Sequence, residues 1–433
     1  MRVAFLTLGC KVNYYETGKI KEEFEKDGYE IVDFDETADI YIVNTCTVTN
    51  MADRKSRQML HRAKKHNPNA LVVACGCYAD AKDGEALGAD MSVVNKDKKN
   101  VLKLVNEALK GRQITEVNAD GFEKKPNRPA ERTRAFIKIQ DGCNQFCTYC
   151  LIPYVRGRGV LVSKPEDEVV DEVIQLVRSG YKEVVLTGIH LSSYGTDIAG
   201  EKSFLKLEGR PLISLIGKLN DIEGLERIRL SSLEPRIITE SWAKQLATFE
   251  KVCPHFHLSM QSGCDETLKR MNRHYTSAEY AEKVDILRKI YENPAITTDV
   301  IVGFPGETEE EFETTFEFVK KIGFADLHIF QYSKRDGTIA AKMDDQVSAE
   351  LKKQRSEQLA KVMEQSKKEY EKLFEGIDQE ILFETEQLIN GKTYLTGFNT
   401  RYVRFFLDTE KAGEYGALSG EICCIRAADL RTE

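Results

Sequence analysis

Three cysteines open the chemistry of this chain. In IKIQDGCNQFCTYCLIPYVRGRG, Cys143, Cys147 and Cys150 form a C-x3-C-x2-C spacing on a loop that follows the apolar run 135–139. Three thiols on so short a loop make a soft, preformed metal site. No fourth cysteine or nearby histidine accompanies them. Either a distant residue completes a zinc site, or the thiolates hold three irons of a 4Fe-4S cluster and leave the fourth iron open. A second set, Cys10, Cys46, Cys75 and Cys77, lies in the first hundred residues, and Cys253, Cys264, Cys423 and Cys424 are scattered and read as structural. Eleven cysteines, an odd number in a long chain, favour metal or redox chemistry over a disulfide framework.

The second set gains meaning from the elements that carry it. Residues 1–110 alternate short β-branched runs with helical patterns: VAFLTL, YYETGKIKEEFEKDGY, DIYIVN, MADRKSRQMLHRAKKH and ALVVAC. This predicts a parallel α/β sheet. Cys10, Cys46 and Cys77 would each sit just past a strand's carboxyl end, and in an open parallel sheet those ends share one ligand-binding edge. Spacing alone leaves Cys75 and Cys77 as rivals for the third place. The run ALVVAC puts Cys75 inside the strand and Cys77 in the loop beyond, and buried inert thiols remain the plain alternative for all four.

From 135 to 330 the strand-then-helix pattern repeats through AFIKIQ, EVVLTG, RIRLSS, HFHLSM, ITTDVIVGF and ADLHIF. Six such units predict a partial (β/α)6 barrel with its active mouth at the strands' carboxyl ends. Candidate cofactor contacts stand there: Gly188 and His190, Ser231, Ser232 and Glu234, His257 and Gln261, Gly303 and Gly306. The glycines would allow close backbone approach, and the hydroxyls and Glu234 would bind polar groups. Residues 349–375 read as a long charged connecting helix, and the short β runs EILFETE, TYLTGF, YVRFFLD and GEICCIRAA predict a small C-terminal β-barrel. The expected division is 1–112, 130–350, 351–370 and 371–433, with the aperiodic stretch 112–134 as a linker.

Composition bounds the partners. With 433 residues, 41% hydrophobic and 30% charged, the chain has material for several packed domains, which excludes a single small module or a disordered chain. The net charge of −8 excludes a globally basic nucleic-acid binder, so a polyanion would be held by local patches. Two basic runs qualify: Lys124, Lys125, Arg128, Arg132, Arg134 and Lys138, and, on the predicted helix 51–66, Arg54, Lys55, Arg57, Arg62, Lys64 and Lys65. In 371–433 twelve acidic residues outnumber seven basic ones, the reverse of what an RNA-gripping barrel should show, although Arg401, Arg404, Arg426 and Arg431 could form a local patch. The N-terminal run reads as a buried first strand and not a leader, and charges interrupt every apolar run before the ~18 residues of a membrane span. A cytoplasmic location is expected.

The C-x3-C-x2-C loop resembles the radical S-adenosylmethionine (SAM) superfamily. There the open iron of the cluster chelates the methionine part of SAM, and one electron yields a 5′-deoxyadenosyl radical. The whole chain resembles the methylthiotransferase family through LGCKVN at Cys10, NTCTVT at Cys46, GCYA at Cys77, GCNQFCTYC and GFPGET. That resemblance implies two 4Fe-4S clusters, an auxiliary one on Cys10, Cys46 and Cys77 and a second on Cys143, Cys147 and Cys150, and it selects Cys77 over Cys75. It implies a C-terminal RNA-binding TRAM domain, a tRNA anticodon stem-loop as partner and an electron donor such as flavodoxin or ferredoxin. LGCKVN and NTCTVT look most like the branch that adds a methylthio group at C2 of N6-threonylcarbamoyladenosine. Isopentenyladenosine in tRNA and a ribosomal-protein side chain are the family's other targets. An unactivated aromatic C–H has no useful acidity, so radical chemistry is what such an insertion needs, and an anticodon-loop base is already single-stranded. A non-catalytic iron–sulfur carrier would need the cysteines but no SAM pocket. The resemblance leaves proton-relay residues, sulfur source and oligomeric state open.

Overall fold

In the computed structural model, residues 1–82, 87–110, 133–198 and 207–432 are described. The chain divides into two compact units. One takes the described residues of Met1–Arg128 with Asp141–Leu161 and Ser333–Ala341; the other takes those of Pro129–Gln140, Val162–Tyr332 and Lys342–Glu433. The expected linker at 112–134 falls almost wholly outside the described residues, as do Lys124, Lys125, Arg128 and Arg132.

The first unit is built on a five-stranded parallel sheet of β1 (Arg2–Thr7), β2 (Glu30–Val32), β3 (Ile40–Thr45), β4 (Leu71–Gly76) and β5 (Met91–Val93), in the order β2-β1-β3-β4-β5. The near-continuous apolar runs in β3 and β4 are those of strands buried on both faces. Tyr41 and Val43 pack one face, and Ile40 and Ile42 pack the other. Helices α1 (Lys11–Lys26), α2 (Asn50–His66), α3 (Cys77–Ala81) and α4 (Val101–Lys110) supply the partners. This strand order reverses direction between β1 and β3, the point at which open α/β sheets leave a crevice. β2, β5, α3 and α4 were not among the sequence expectations, being too short or too weakly periodic to stand out.

The second unit carries the six expected strands. β6 (Ala135–Asp141), β7 (Val162–Ser163), β8 (Glu183–Gly188) and β9 (Arg227–Leu230) form one sheet in the order β7-β6-β8-β9, and β10 (His255–His257), β11 (Ala295–Val302) and β12 (Asp326–Gln331) form another. Parallel bridges Ile228↔Val252 and Leu233↔Leu258 join the two, giving the open barrel. Alternation decides which way each residue faces. Ile137, Val184, Leu186, Ile228, Phe256, Ile296 and Val300 pack outward into the helix layer, leaving Glu183, Arg229, His257 and Asp299 on the inner face.

β13 (Gln379–Ile389), β14 (Lys392–Phe398), β15 (Arg404–Asp408), β16 (Ile422–Ile425) and β17 (Leu430–Arg431) make a five-stranded antiparallel sheet in the order β16-β13-β14-β15-β17. It closes the amino-terminal end of the barrel strands. Glu183, first residue of β8 and fully buried, takes Arg229 Nε at 2.7 Å and Arg134 Nε at 2.9 Å, with Arg227 at 3.8 Å. Burial would raise its carboxyl, but Arg229, Arg134 and Arg227 outweigh that and hold it below the ordinary range. Arg227 also donates to the Phe398 carbonyl, and Arg229 to that of Thr400. Tyr402 stacks on Phe398 at 4.6 Å and lies under both Arg134 and Arg229.

The helix Ala349–Glu371 does more than connect. Arg355, 2% exposed, bonds Glu307 at 2.7 Å and Glu309 at 3.0 Å. Thr308 caps the helix Glu309–Ile322 in a reciprocal box with Glu311. Thr308→Ala should cost about 1 kcal/mol, read as a lower denaturant midpoint at unchanged slope.

Candidate active site

In the first unit, β1, β3 and β4 are consecutive neighbours, with Thr7 opposite Asn44 and Thr45 opposite Gly76. Cys10, Cys46 and Cys77 therefore leave adjacent strand ends. Cys10 is the N-cap of α1 and Cys77 is the first residue of α3. Gly9, at φ +92, brings its loop so close to Cys46 that a Cβ there would lie 2.7 Å from the Cys46 Sγ. Gly76, at φ +94, approaches the Thr45 carbonyl so closely that a Cβ would sit 2.4 Å from it. Only glycine fits either place, which is the steric content of LGC and GC.

Cys75 faces the other way. It lies within β4, fully buried in the apolar layer with Ile42 and Val73, and burial pushes its thiol up to about 11. Cys46 is also pushed up to about 11, first by burial and then by the thiols of Cys77 and Cys10. Three sulfurs that repel one another's ionisation suit a cationic metal centre, which reverses that penalty.

A buried arginine missed by the sequence reading organises this corner. Arg156, 2% exposed, lies six residues beyond Cys150 in YVRGRG. It donates Nε to Cys77 Sγ at 3.2 Å, one terminal nitrogen to Glu16 at 2.9 Å, and the other to Asn13 Oδ1 at 2.8 Å. Lys98 completes the network on Glu16 at 2.6 Å. Arg335, 5% exposed, similarly bonds Asp53 at 2.7 Å and the hydroxyl of Thr47, next to Cys46. The signal for Arg156 was a basic residue beside a cysteine motif, which composition alone cannot separate from a solvated charge, and Arg335, far from any cysteine in sequence, carried none. Arg156→Lys keeps the charge but cannot form this fork. We expect it to loosen iron on the first triplet, measured as faster iron release to a chelator from enzyme whose second triplet is already alanine.

Cys143, Cys147 and Cys150 follow the end of β6 and are half-buried, with Cys150 N–H bonded to the Cys147 carbonyl at 3.0 Å. A tetrahedral zinc with ~2.3 Å bonds would draw its sulfurs to about 3.8 Å of one another. Among the described residues, a group of three ligand atoms within 4.8 Å of one another is formed by His257, Asp299 and His328. All eleven cysteines are free thiols.

In the second unit the candidate SAM contacts gather at the carboxyl ends of the barrel strands. His190 is half-buried and pushed down to about 3, first by burial of its ring and then by Arg273 and Arg236, so it stays neutral. Its Nδ1 meets Ser193 Oγ at 2.6 Å, and its backbone N–H donates to Gln140 Oε1 at 2.7 Å. His190 Nε2 and Ser231 Oγ are buried polar atoms without a partner. Such orphans fit a polar ligand at this end. Gln261 holds φ +69, a strained conformation for a non-glycine residue, with its N–H on the Asp299 carbonyl at 2.8 Å. Ser232 is exposed.

Three of these candidates have neighbours within the fold. The Glu234 carboxylate is already engaged by Arg236 Nε at 2.7 Å. A Cβ on Gly303 would fall 2.0 Å from the Lys352 side chain, so glycine there makes room for the long helix. A Cβ on Gly188 would likewise meet Gln140, at 2.9 Å.

The basic candidates separate. Arg54 and Lys55 are exposed on α2. Arg134, 7% exposed, is held by Glu183 and Glu384 and is not presented to an RNA. Arg401 donates to the carbonyls of Asn293 and Glu292 and lies over Phe374, and Arg404 lies over Phe398. These arginines serve internal packing of the C-terminal sheet because their planar heads stack on its aromatics.

Residues 137–319 match the radical SAM superfamily model, and residues 2–95 match that of uncharacterized protein family UPF0004. The threonylcarbamoyladenosine tRNA methylthiotransferase MtaB of Bacillus subtilis (strain 168) is 42% identical, over 93% of this chain and 89% of that protein. The protein of the same name from Aquifex aeolicus is 40% identical, over 91% and 96%. A tRNA-2-methylthio-N(6)-dimethylallyladenosine synthase of Clostridium botulinum (strain Langeland) is 34% identical, over 94% and 92%. Among solved structures, the radical SAM methyltransferase TsrM from Kitasatospora setae superposes with a TM-score of 0.54 at 18% identity, over 76% of this chain and 72% of that one, a likeness of fold. No helix of the described residues is long and apolar enough to cross a membrane. With two matched domains and relatives this similar along nearly the whole chain, the protein belongs to the tRNA methylthiotransferase family of the radical SAM superfamily.

Proposed function

We propose that this enzyme inserts a methylthio group at C2 of N6-threonylcarbamoyladenosine beside the tRNA anticodon. The observation that carries the reading is the first triplet: three cysteines at adjacent parallel strand ends, with Gly9 and Gly76 making room and Arg156 fixed on Cys77. When bound, SAM and the two 4Fe-4S clusters supply a carbon-centred radical and the sulfur.

The chain's own residues bind, orient and shield. Cys143, Cys147 and Cys150 would hold one cluster, and Cys10, Cys46 and Cys77 the other. Arg156 orients Cys77 and offsets its negative charge from inside the fold. Gln140 fixes the His190 backbone, and neutral His190 and Ser231 offer their orphaned polar atoms to SAM, with Ser232, Gln261 and the backbones of Gly188 and Gly303 nearby along the strand ends. Glu234 would act through Arg236. Arg54 and Lys55, with Arg128 and Arg132 of the intervening segment, would meet tRNA phosphates. Flavodoxin or ferredoxin would deliver the electron, and the reaction would take place in the cytoplasm.

The B. subtilis and A. aeolicus proteins, named for threonylcarbamoyladenosine, exceed the dimethylallyladenosine synthase in identity, which favours that base. The test is mass spectrometry of nucleosides from tRNA of a strain lacking the gene. Loss of the methylthio form of threonylcarbamoyladenosine alone supports the reading; loss of the isopentenyl form instead refutes it.

A further inference from the structure

The inner face of the barrel holds a group that this function does not use. His257 on β10, Asp299 on β11 and His328 on β12 come from three adjacent parallel strands, with Thr297 opposite His257 and Asp299 opposite His328 in register. His257 Nε2 lies 3.3 Å from Asp299 Oδ2, and His328 Nδ1 lies 3.1 Å from Asp299 Oδ1. The two imidazoles stack at 5.6 Å and 30°. One ligand atom from each residue lies within 4.8 Å of those of the other two.

From this geometry we propose that His257, Asp299 and His328 bind a single divalent transition-metal ion of the zinc and ferrous class. Two imidazoles and one carboxylate are the borderline donor set such ions prefer, and three protein ligands leave positions for water or an oxygen of a bound molecule. The separations agree, since bonds of ~2.0–2.2 Å in a tetrahedron place ligand atoms about 3.4 Å apart.

The surroundings carry the second argument. A metal-bound histidine usually gives its other ring nitrogen to an orienting partner. Here His257 Nδ1 meets Thr297 Oγ1 at 3.0 Å, leaving Nε2 for the ion. Asp299 lies between the two imidazoles, with one carboxylate oxygen toward each. His328, 60% exposed at its side chain, gives the ion a route in.

The test uses anaerobically reconstituted holoenzyme, so that the cluster cysteines are already occupied, with zinc as the probe. After incubation and desalting, metal analysis should find about one zinc per chain beside an unchanged iron content. X-ray absorption at the zinc edge should show nitrogen and oxygen ligands only. His328→Gln and Asp299→Asn should each lose the zinc while keeping their iron, which reports an intact fold. Thr297→Val should bind roughly 10- to 100-fold more weakly. No retained zinc in the wild type, sulfur in the first shell, or retention unchanged in both variants would overturn the proposal. Because none of these readouts is methylthiolation, failure here leaves the functional reading untouched.

Discussion

Cys147→Ala is expected to halve the iron of reconstituted enzyme, from about eight to about four per chain, and to abolish SAM cleavage. Methylthio product should fall at least ~10³-fold, because the ligands act as a unit. Cys77→Ala should also lose about four irons but continue to cleave SAM without forming product. This pair separates the two triplets. The measurement is iron and sulfide content with electron paramagnetic resonance, set beside assays of 5′-deoxyadenosine and modified nucleoside. If Cys77→Ala keeps both its iron and its product while Cys75→Ala loses them, the assignment of the third ligand is wrong. The structure argues against that outcome, because Cys75 is sealed in the apolar layer whereas Cys77 faces Arg156.

The largest stability effect is expected at Glu183. Replacing it by glutamine removes the one buried carboxylate that Arg134, Arg227 and Arg229 share, and although Arg134 keeps Glu384 and Arg227 keeps Glu380, Arg229 loses the carboxylate it pairs with. Breaking a buried ion pair in this way costs about 3–5 kcal/mol. The guanidiniums cannot relieve the strain by deprotonating, so the most accessible response is release of the C-terminal sheet, whose Phe398 and Thr400 carbonyls they hold. Glu183→Gln should therefore lower the midpoint of thermal unfolding and expose a protease-sensitive site around residues 371–378 before the rest of the chain opens. Arg401→Ala, at the more exposed edge of the same docking, should produce a smaller shift in the same direction. Equal stability of Glu183→Gln and wild type would show that Glu384 and Glu380 suffice to balance the arginine cluster.

Several elements were legible because their signals are local. The parallel runs VAFLTL, DIYIVN and ALVVAC became β1, β3 and β4, and the six barrel strands stand where alternation placed them. The cysteine triplets could be picked out because ligand chemistry restricts residue type and spacing together. GFPGET was read for its glycines as ligand contacts, yet its role in the fold lies in Glu307, which takes the Gly303 N–H at 2.6 Å and Arg355 at 2.7 Å, and in the Thr308 cap.

Charge was the least legible property. Arg134, Arg156, Arg229, Arg335 and Arg401 are ordinary basic residues in the sequence, and the first and last of them were read as RNA contacts. Their partners in the fold are Glu183, Glu16, Thr400, Asp53 and Asn293 respectively, which lie between 49 and 282 positions away in contacts that no local pattern encodes. By itself the sequence determined the secondary-structure alternation and marked Cys143, Cys147 and Cys150 as a metal-site candidate, because periodicity and thiol spacing act over a few residues, whereas the choice of Cys77 over Cys75 came from the family resemblance. Only the tertiary structure decided which arginines are buried, that the C-terminal sheet closes the amino-terminal end of the barrel, and that His257, Asp299 and His328 meet. The reason is strand order: parallel register sets residues from distant segments side by side, and side-chain charge is satisfied by whatever that register brings near.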